Sequence, residues 1–518
     1  MPHRARARAI LATVLSTAAA FGACGGGEEE PVEVEAEAAP GSAGDRAVAE
    51  LPAEATEEER ARARLDADYP MHGAVTGILT TVHTEPDEES TIVGWLRIGA
   101  RIRLAEETRD AGGCRAWRRI HPTGWVCDDD DLEVRDAEIP IEEPTLEGWK
   151  NDQVEEAAAR DAVVLPPPAR DETMPYDYYF VKEPTVPEYH RLPSRNEQRA
   201  ALAKAARYRE LLERDERRAE RYLSGEADDG PPGTAVVNRY LDRGFYVASN
   251  GIEVRAFRHF VRTTQGRYIK QAQLEERTGH DFSGVELDEE RALPVAWTVR
   301  TARPMILHES DDGEISWTDD EEIEPIERQT LLTDWEERRN VGGRIYHVLE
   351  TDDGTRYLRS WFAAVAERID RPEEVAEDEP WVHVDLGEQT LVLYEGDAPV
   401  YATLVSTGIE GHETPTGVFE IRRKHITDTM SNIGPDAGDD RYSIEDVPWT
   451  QYFEGAVALH TAFWHTRFGL PRSHGCVNMT PTDAHHVFAR TWPALPEGWH
   501  GLSTDGTEFR GSHVVVTP

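Results

Sequence analysis

The stretch WVHVDLGEQTLVLYEGDAPVYATLVST, residues 381–407, constrains the fold more than any other part of the chain. Its apolar runs are of strand length and are broken only by GEQ and EGDA, which suit hairpin turns. Three strands are predicted, over 381–386, 390–395 and 399–406. GVFEIRRKH adds a fourth, GAVALH a fifth and HVVVT a last one. Helical signal is confined to TPTDAHHVFARTW, where Thr480 or Thr482 can cap and Pro481 suits a first turn. The C-terminal stretch of about 140 residues should therefore be mostly β, with one short helix behind Cys476.

At 518 residues the chain exceeds what one hydrophobic core supports, so several domains are expected. With 56 Lys and Arg against 99 Asp and Glu, the net charge of −43 repels polyanions, and no nucleic-acid partner is expected. Acidic runs such as GEEEPVEVEAEAAP, DDDD at 128–131 and DDEEIEPIE at 319–327 read as solvated linkers and loops.

The first 24 residues read as an address. Arg4, Arg6 and Arg8 precede an apolar run from Ala9 to Ala23, too short for the roughly 20 residues that span a bilayer, as in a signal peptide. FGAC resembles the lipobox of bacterial lipoproteins, with Phe21 where Leu is usual, and that resemblance implies lipidation at Cys24. The expectation is an exported, periplasm-facing lipoprotein of the cell envelope, touching membrane only through its lipid.

Residues 25–71 read as an acidic disordered tether with one short helix at ATEEERARARL. The short β-like runs of 72–135, ending in Gly-Trp-Val, argue a small barrel and resemble bacterial SH3-like domains. A Pro-rich acidic linker (136–195) and one charged amphipathic helix (196–224) with Leu202, Tyr208, Leu211 and Leu212 as its apolar stripe should follow. RTTQGRYIKQAQL and ETDDGTRYLRSWF each place Gly before an aromatic–aliphatic pair, as PTGWVCDDDDL does. Further β modules are expected over 232–290 and, SH3-like, over 292–370, before a domain at 379–518.

In an oxidising compartment Cys114 and Cys127, flanking RAWRRIHPTGWV, can pair as a disulfide. Cys476, in PRSHGCVNM, is then alone, and a lone thiol in an exported protein is a flag for reactivity. A nucleophilic thiol needs a base, a group orienting the base, and donors facing the developing oxyanion. His460, His465 and His474 lie within the seventeen residues before Cys476, and His460 ends the strand GAVAL. Ser473-His474-Gly475-Cys476 reads as a tight turn whose backbone N–H groups can face a carbonyl. A zinc site built from these histidines and Cys476 is the competing chemistry, but no CxxC or HxxxH spacing supports it. His485 and His486 read as surface and packing residues, and no metal or cofactor is expected.

HTAFWHTRFGLPRSHGCVN resembles the signature of the YkuD-type L,D-transpeptidases, and VHVDLGEQTLVLYEGDAPVYATLVSTG and ETPTGVFEI are similar to that family's opening hairpins and its Thr-Pro-Thr-Gly step. The resemblance covers roughly 381–518. It implies a β-sandwich with Cys476 as nucleophile, His460 as general base and the Thr461 carbonyl orienting that base. It further implies an oxyanion hole at the turn through Ser473, Gly475 and Cys476, with His474, Arg472 and Asn478 shaping the site. Residues 424–453 are expected to form a lid loop over the substrate groove, making Trp449 and Tyr452 candidate substrate contacts. The implied reaction is acyl transfer on peptidoglycan stem peptides, onto a stem amine, an envelope protein or water. The alternative is a non-catalytic wall-binding adaptor that uses its SH3-like modules.

Overall fold

The computed structural model describes residues 43–52, 54–129, 131–139, 168–224, 235–433 and 441–518. The expected signal peptide and Cys24 lie outside the described residues.

Six strands build the central sheet, in the order Val285–Glu286, Ala398–Leu404, Thr390–Glu395, Pro380–Asp385, His513–Thr517 and Gly417–Glu420. The run TLVLY is buried at every position, which an alternating half-buried strand would not be. Both faces of the sheet are covered. On one side Val382, Val384, Leu391, Leu393, Val514 and Val516 meet Ile426, Leu459, Val477, Met479 and Val487. On the other Trp381, Val392, Ala402, Leu404 and Val515 meet Trp297, Val299, Ala364 and Phe282.

The first of these cores is roofed by strands Arg423–Asn432, Tyr442–Glu454, Val457–Thr461, Val477–Met479 and Gly501–Ser503, and by helix Pro481–Arg490. Thr480 caps that helix through the Asp483 N–H, and Pro481 occupies its first turn. Buried Asp483 then accepts from Tyr401 Oη (2.7 Å), Thr403 Oγ1 (2.6 Å) and the Gly284 N–H (2.8 Å), tying helix, central sheet and an incoming linker together.

Strands Met71–Val75, Leu79–His83, Ile92–Arg97, Arg101–Ala111, Cys114–Ile120, Trp125–Cys127 and Leu132–Arg135 form a first barrel. The Cys114 and Cys127 sulfurs are bonded. Trp499 and Leu502 of the C-terminal domain insert into the barrel's core, and its strand Ile92–Arg97 pairs with Gly501–Ser503.

Residues 136–195 are not all linker. Asp177–Val181 and Val186–Tyr189 are strands of a second barrel, completed by Val237–Leu241, Tyr246–Arg255, Arg258–Thr263, Tyr268–Lys270 and Leu274–Arg277. The charged helix is likewise two helices, Arg195–Leu212 and Glu216–Ser224, inserted between barrel strands and packed through Leu211, Ala219 and Tyr222. The described part of the tether is also ordered into helices Ala43–Ala49 and Glu57–Asp68, the latter started by a Thr56–Glu59 capping box. Beyond 292, strands Val295–Thr298 and Ala363–Ala366 pair with each other, while five strands between Met305 and Arg359 form a separate sheet.

Candidate active site

Strand Val457–Thr461 runs parallel to Val477–Met479, with Leu459 opposite Val477 and His460 opposite Asn478. Side chains alternate, so core-facing Leu459 and Val477 place His460 and Asn478 on the other face. Continuing the register sets Cys476 opposite Ala458, on that same face and two residues from His460. One strand spacing and two residues put their Cα atoms about 8 Å apart, within side-chain reach.

The His460 ring is fully buried and lies 5.7 Å from the parallel Trp464 ring. Its Nδ1–H donates to the Thr461 carbonyl at 2.9 Å, which leaves Nε2 as the free lone pair. Burial pushes its pKa down to about 4, against the opposing pull of that carbonyl. Burial also raises the Cys476 thiol, partly offset by a hydrogen bond from the Ala458 backbone. The thiol lies 3.7 Å from the Ala456 carbonyl oxygen. At neutral pH the resting pair is thiol and neutral imidazole, so the thiolate must form as the proton moves to His460.

The turn is fixed from both sides. Ser473 Oγ donates to the Cys476 carbonyl and accepts from the Gly475 N–H at 3.1 Å. The Gly475 N–H is therefore spent on the turn and cannot face an oxyanion. Among the described residues, the Cys476 N–H has no partner and remains available for that role. Gly475 has φ +115°, a conformation in which a side chain would be strained. Thr414 Oγ1 accepts from the Gly408 N–H (3.0 Å) and donates to the Gly475 carbonyl (2.7 Å). Sequence reasoning singles out the Thr-Pro-Thr-Gly step without giving Thr414 this work.

His465 holds Asn478: its Nδ1 accepts from the Arg467 N–H at 3.3 Å, and its Nε2 lies 2.9 Å from the Asn478 side-chain amide. Asn478 is thus a buried scaffold residue beneath the site, and its Oδ1 has no partner. Arg472 is exposed on the loop before the turn. Exposed His474 sits at the rim, its ring 4.7 Å from His412 and 6.2 Å from the near-parallel Tyr442 ring.

The 424–453 segment is a correction. It contains two long antiparallel strands, Arg423–Asn432 and Tyr442–Glu454, paired with each other; residues 434–440 fall outside the described residues. Trp449 is buried at 2% exposure, packs on Phe488 and His485, and donates Nε1–H to Thr173 O. It cannot contact substrate. Tyr452 is half-buried and donates to Asp428 at 2.8 Å; burial, and then the Asp428 charge, raise its phenol, and burial raises that of Tyr442. With Arg422, Arg423, Phe453, Glu454, Gly455 and Asp505, Tyr452 lines a cavity of about 180 Å³.

Both barrels grip this hairpin. Arg97 of the first barrel pairs with buried Asp446, which also accepts from Thr264 Oγ1 of the second, while Tyr178 Oη donates to the Asp446 carbonyl at 2.7 Å. Arg239 bridges Glu188 and Glu445. One cation serving two buried carboxylates leaves Glu445 raised to about 8, chiefly by burial. Phe463 and Trp464, in the loop after His460, pack on Tyr178 and Tyr246 of the second barrel.

Residues 379–499 match the family model of the YkuD L,D-transpeptidase catalytic domain. Solved structures similar to the chain include a cysteine-to-serine mutant of the Enterococcus faecium L,D-transpeptidase, at 20% identity and TM-score 0.21, covering 27% of this chain and 50% of that one. Another is the L,D-transpeptidase from Stackebrandtia nassauensis, at 26% identity and TM-score 0.20, covering 28% and 58%. A third is the L,D-transpeptidase from Mycobacterium smegmatis, at 15% identity and TM-score 0.22, covering 41% and 77%. The chain thus spans about half the length of the Enterococcus faecium structure it matches. A comparison with curated proteins finds no match. The match over 379–499 agrees with the sandwich fold and with the Ser-His-Gly-Cys turn set beside His460: this segment is a YkuD-type L,D-transpeptidase catalytic domain.

Proposed function

We propose that the protein is an exported, lipid-anchored cysteine L,D-transpeptidase acting on peptidoglycan stem peptides. One observation carries the reading: a buried, neutral His460, held by the Thr461 carbonyl, shares a sheet face with Cys476 across a parallel ladder. As the thiol attacks the carbonyl of the third, L,D-linked residue, its proton passes to His460 Nε2. The oxyanion forms toward the Cys476 N–H. Collapse expels the terminal D-alanine, which takes the proton from His460, and leaves a thioester. A neighbouring stem amine then displaces the thiol, giving a 3→3 crosslink, or an envelope protein's amine does so. The buried imidazole supports general-base chemistry because it stays unprotonated through the neutral range.

Intact-mass measurement after incubation with a carbapenem tests the reading. Covalent mass gain on the wild type and none on Cys476→Ala is expected. An unlabelled wild type would favour a non-catalytic, wall-binding adaptor. His460→Ala should slow labelling by about 10²–10⁴-fold, the usual contribution of a positioned base.

A further inference from the structure

A second, larger cavity of about 340 Å³ shares Arg423 with the one beside Tyr452. Ile78, Leu79, Trp95 and Arg97 come from the first barrel, Gln265 follows a strand of the second, and Arg423, His425, Thr427, Asp428 and Thr429 come from the hairpin. Arg423 lines both cavities, its guanidinium 4.7 Å from the Tyr452 ring. No single domain builds this site; it exists only where the three meet.

Its chemistry is amphipathic. Ile78 and Leu79 are 50% and 53% exposed, an unusual outlay of apolar surface at a barrel edge, beside the half-buried Trp95 ring. Opposite stand donors and acceptors whose formal charges cancel: Arg97 is neutralised by Asp446, Arg423 lies over the Tyr452 ring, and Asp428 accepts from the Tyr452 hydroxyl. His500 also lines the cavity. Its Nε2–H donates to the Thr427 carbonyl at 2.8 Å, so Nδ1 is an acceptor, and that buried Nδ1 has no partner. Burial, and then the Arg97 charge, keep the ring neutral. Polar side chains facing exposed aliphatic surface and a half-buried aromatic ring call for a ligand that brings both hydrogen-bonding groups and an apolar ring face. A sugar ring does both, and the volume sits at the small end of the roughly 300–1,000 Å³ of small-molecule sites.

We propose that this inter-domain cavity binds a saccharide, with Trp95, Ile78 and Leu79 against the sugar faces and Arg423, Asp428 and Thr429 on its polar edges. Resting on the reading of Cys476 as a stem-peptide transpeptidase, it assigns the site to the glycan strand that carries the donor peptide, running past Arg423 toward the thiol.

The test is calorimetric titration of the full chain with N,N′,N″-triacetylchitotriose. Wild type and Cys476→Ala should bind alike. Trp95→Ala should weaken binding at least 10-fold, and Leu79→Asp, at an exposed position that folding does not need, should do the same. No binding to the wild type, or binding that both variants retain, overturns the proposal. So does competition by a free stem tetrapeptide, which would make the cavity a peptide site. Loss of carbapenem labelling with chitotriose binding intact would sink the transpeptidase reading and leave the saccharide site standing.

Discussion

The first barrel (71–135) and the five-stranded sheet between Met305 and Arg359 are both small antiparallel units of short strands, yet they relate to the catalytic domain in opposite ways. The barrel shares its core with Trp499 and Leu502, extends its sheet through Gly501–Ser503, and sends Arg97 into a buried pair with Asp446. Among the described residues the five-stranded sheet pairs only with itself and has a core of Met305, Tyr346, Val348 and Tyr357, with Trp317 stacked on Tyr346; it meets its surroundings through Leu349 and Leu358, beside Ala363 and Val365, and through an Arg338–Glu388 ion pair. The difference teaches that chain order does not decide which module belongs to the catalytic machinery. The module farther away in sequence is built into it, and the nearer one is appended.

The sharpest way to break this contrast is Arg97→Met. It strands the Asp446 carboxylate in the interior and should cost about 3–5 kcal/mol in denaturant unfolding followed by a C-terminal-domain probe. A loss confined to the first barrel would refute the shared unit. Next in size, replacing both Cys114 and Cys127 by Ser opens a loop of 13 residues and should cost about 3 kcal/mol, again felt in both domains. Val348→Ala, by comparison, should cost about 1–3 kcal/mol as a local loosening of the outer sheet. Hydrogen exchange should rise between 305 and 359, with the carbapenem labelling rate of Cys476 unchanged.

A further test concerns pH. Glu445 is raised to about 8 in the folded state, so its contribution is intact below about 4.5 and is lost as pH climbs toward 8. Glu445→Gln should remove a slope of at most about 1.4 kcal/mol per pH unit over that window. A slope identical to the wild type's would show that Arg239 keeps Glu445 ionised.

The strands of 381–406 were legible because two Gly-containing turns bound runs of unbroken apolar character. The Ser-His-Gly-Cys turn was legible because Ser473 closes it by hydrogen bonds and Gly475 takes a left-handed conformation beside the lone thiol. The hairpin after Arg423 was not. Its second strand carries Pro448 and left-handed residues at Asp446 and Trp449, so the alternation that marks a strand is broken. The first strands of the second barrel were hidden for another reason. Val186–Tyr189 pairs with Val237–Leu241 across an inserted helical pair, so no local pattern could reveal its partner. The Arg97–Asp446 contact, 349 positions apart, is a tertiary fact that no window of sequence contains.

Next to Arg423, strand alternation turns Lys424 inward. Its Nζ donates to the Phe488 carbonyl (2.7 Å), the Thr491 carbonyl (2.7 Å) and Thr491 Oγ1 (3.3 Å), at the end of the helix that follows Cys476. Burial drives that amine's pKa well down. A single rivet thereby joins the wall that carries Arg423 to the segment that carries the sulfur. Neighbouring residues on one strand serve opposite ends: Arg423 lines both cavities, and Lys424 keeps the hairpin and the helix after Cys476 from drifting apart.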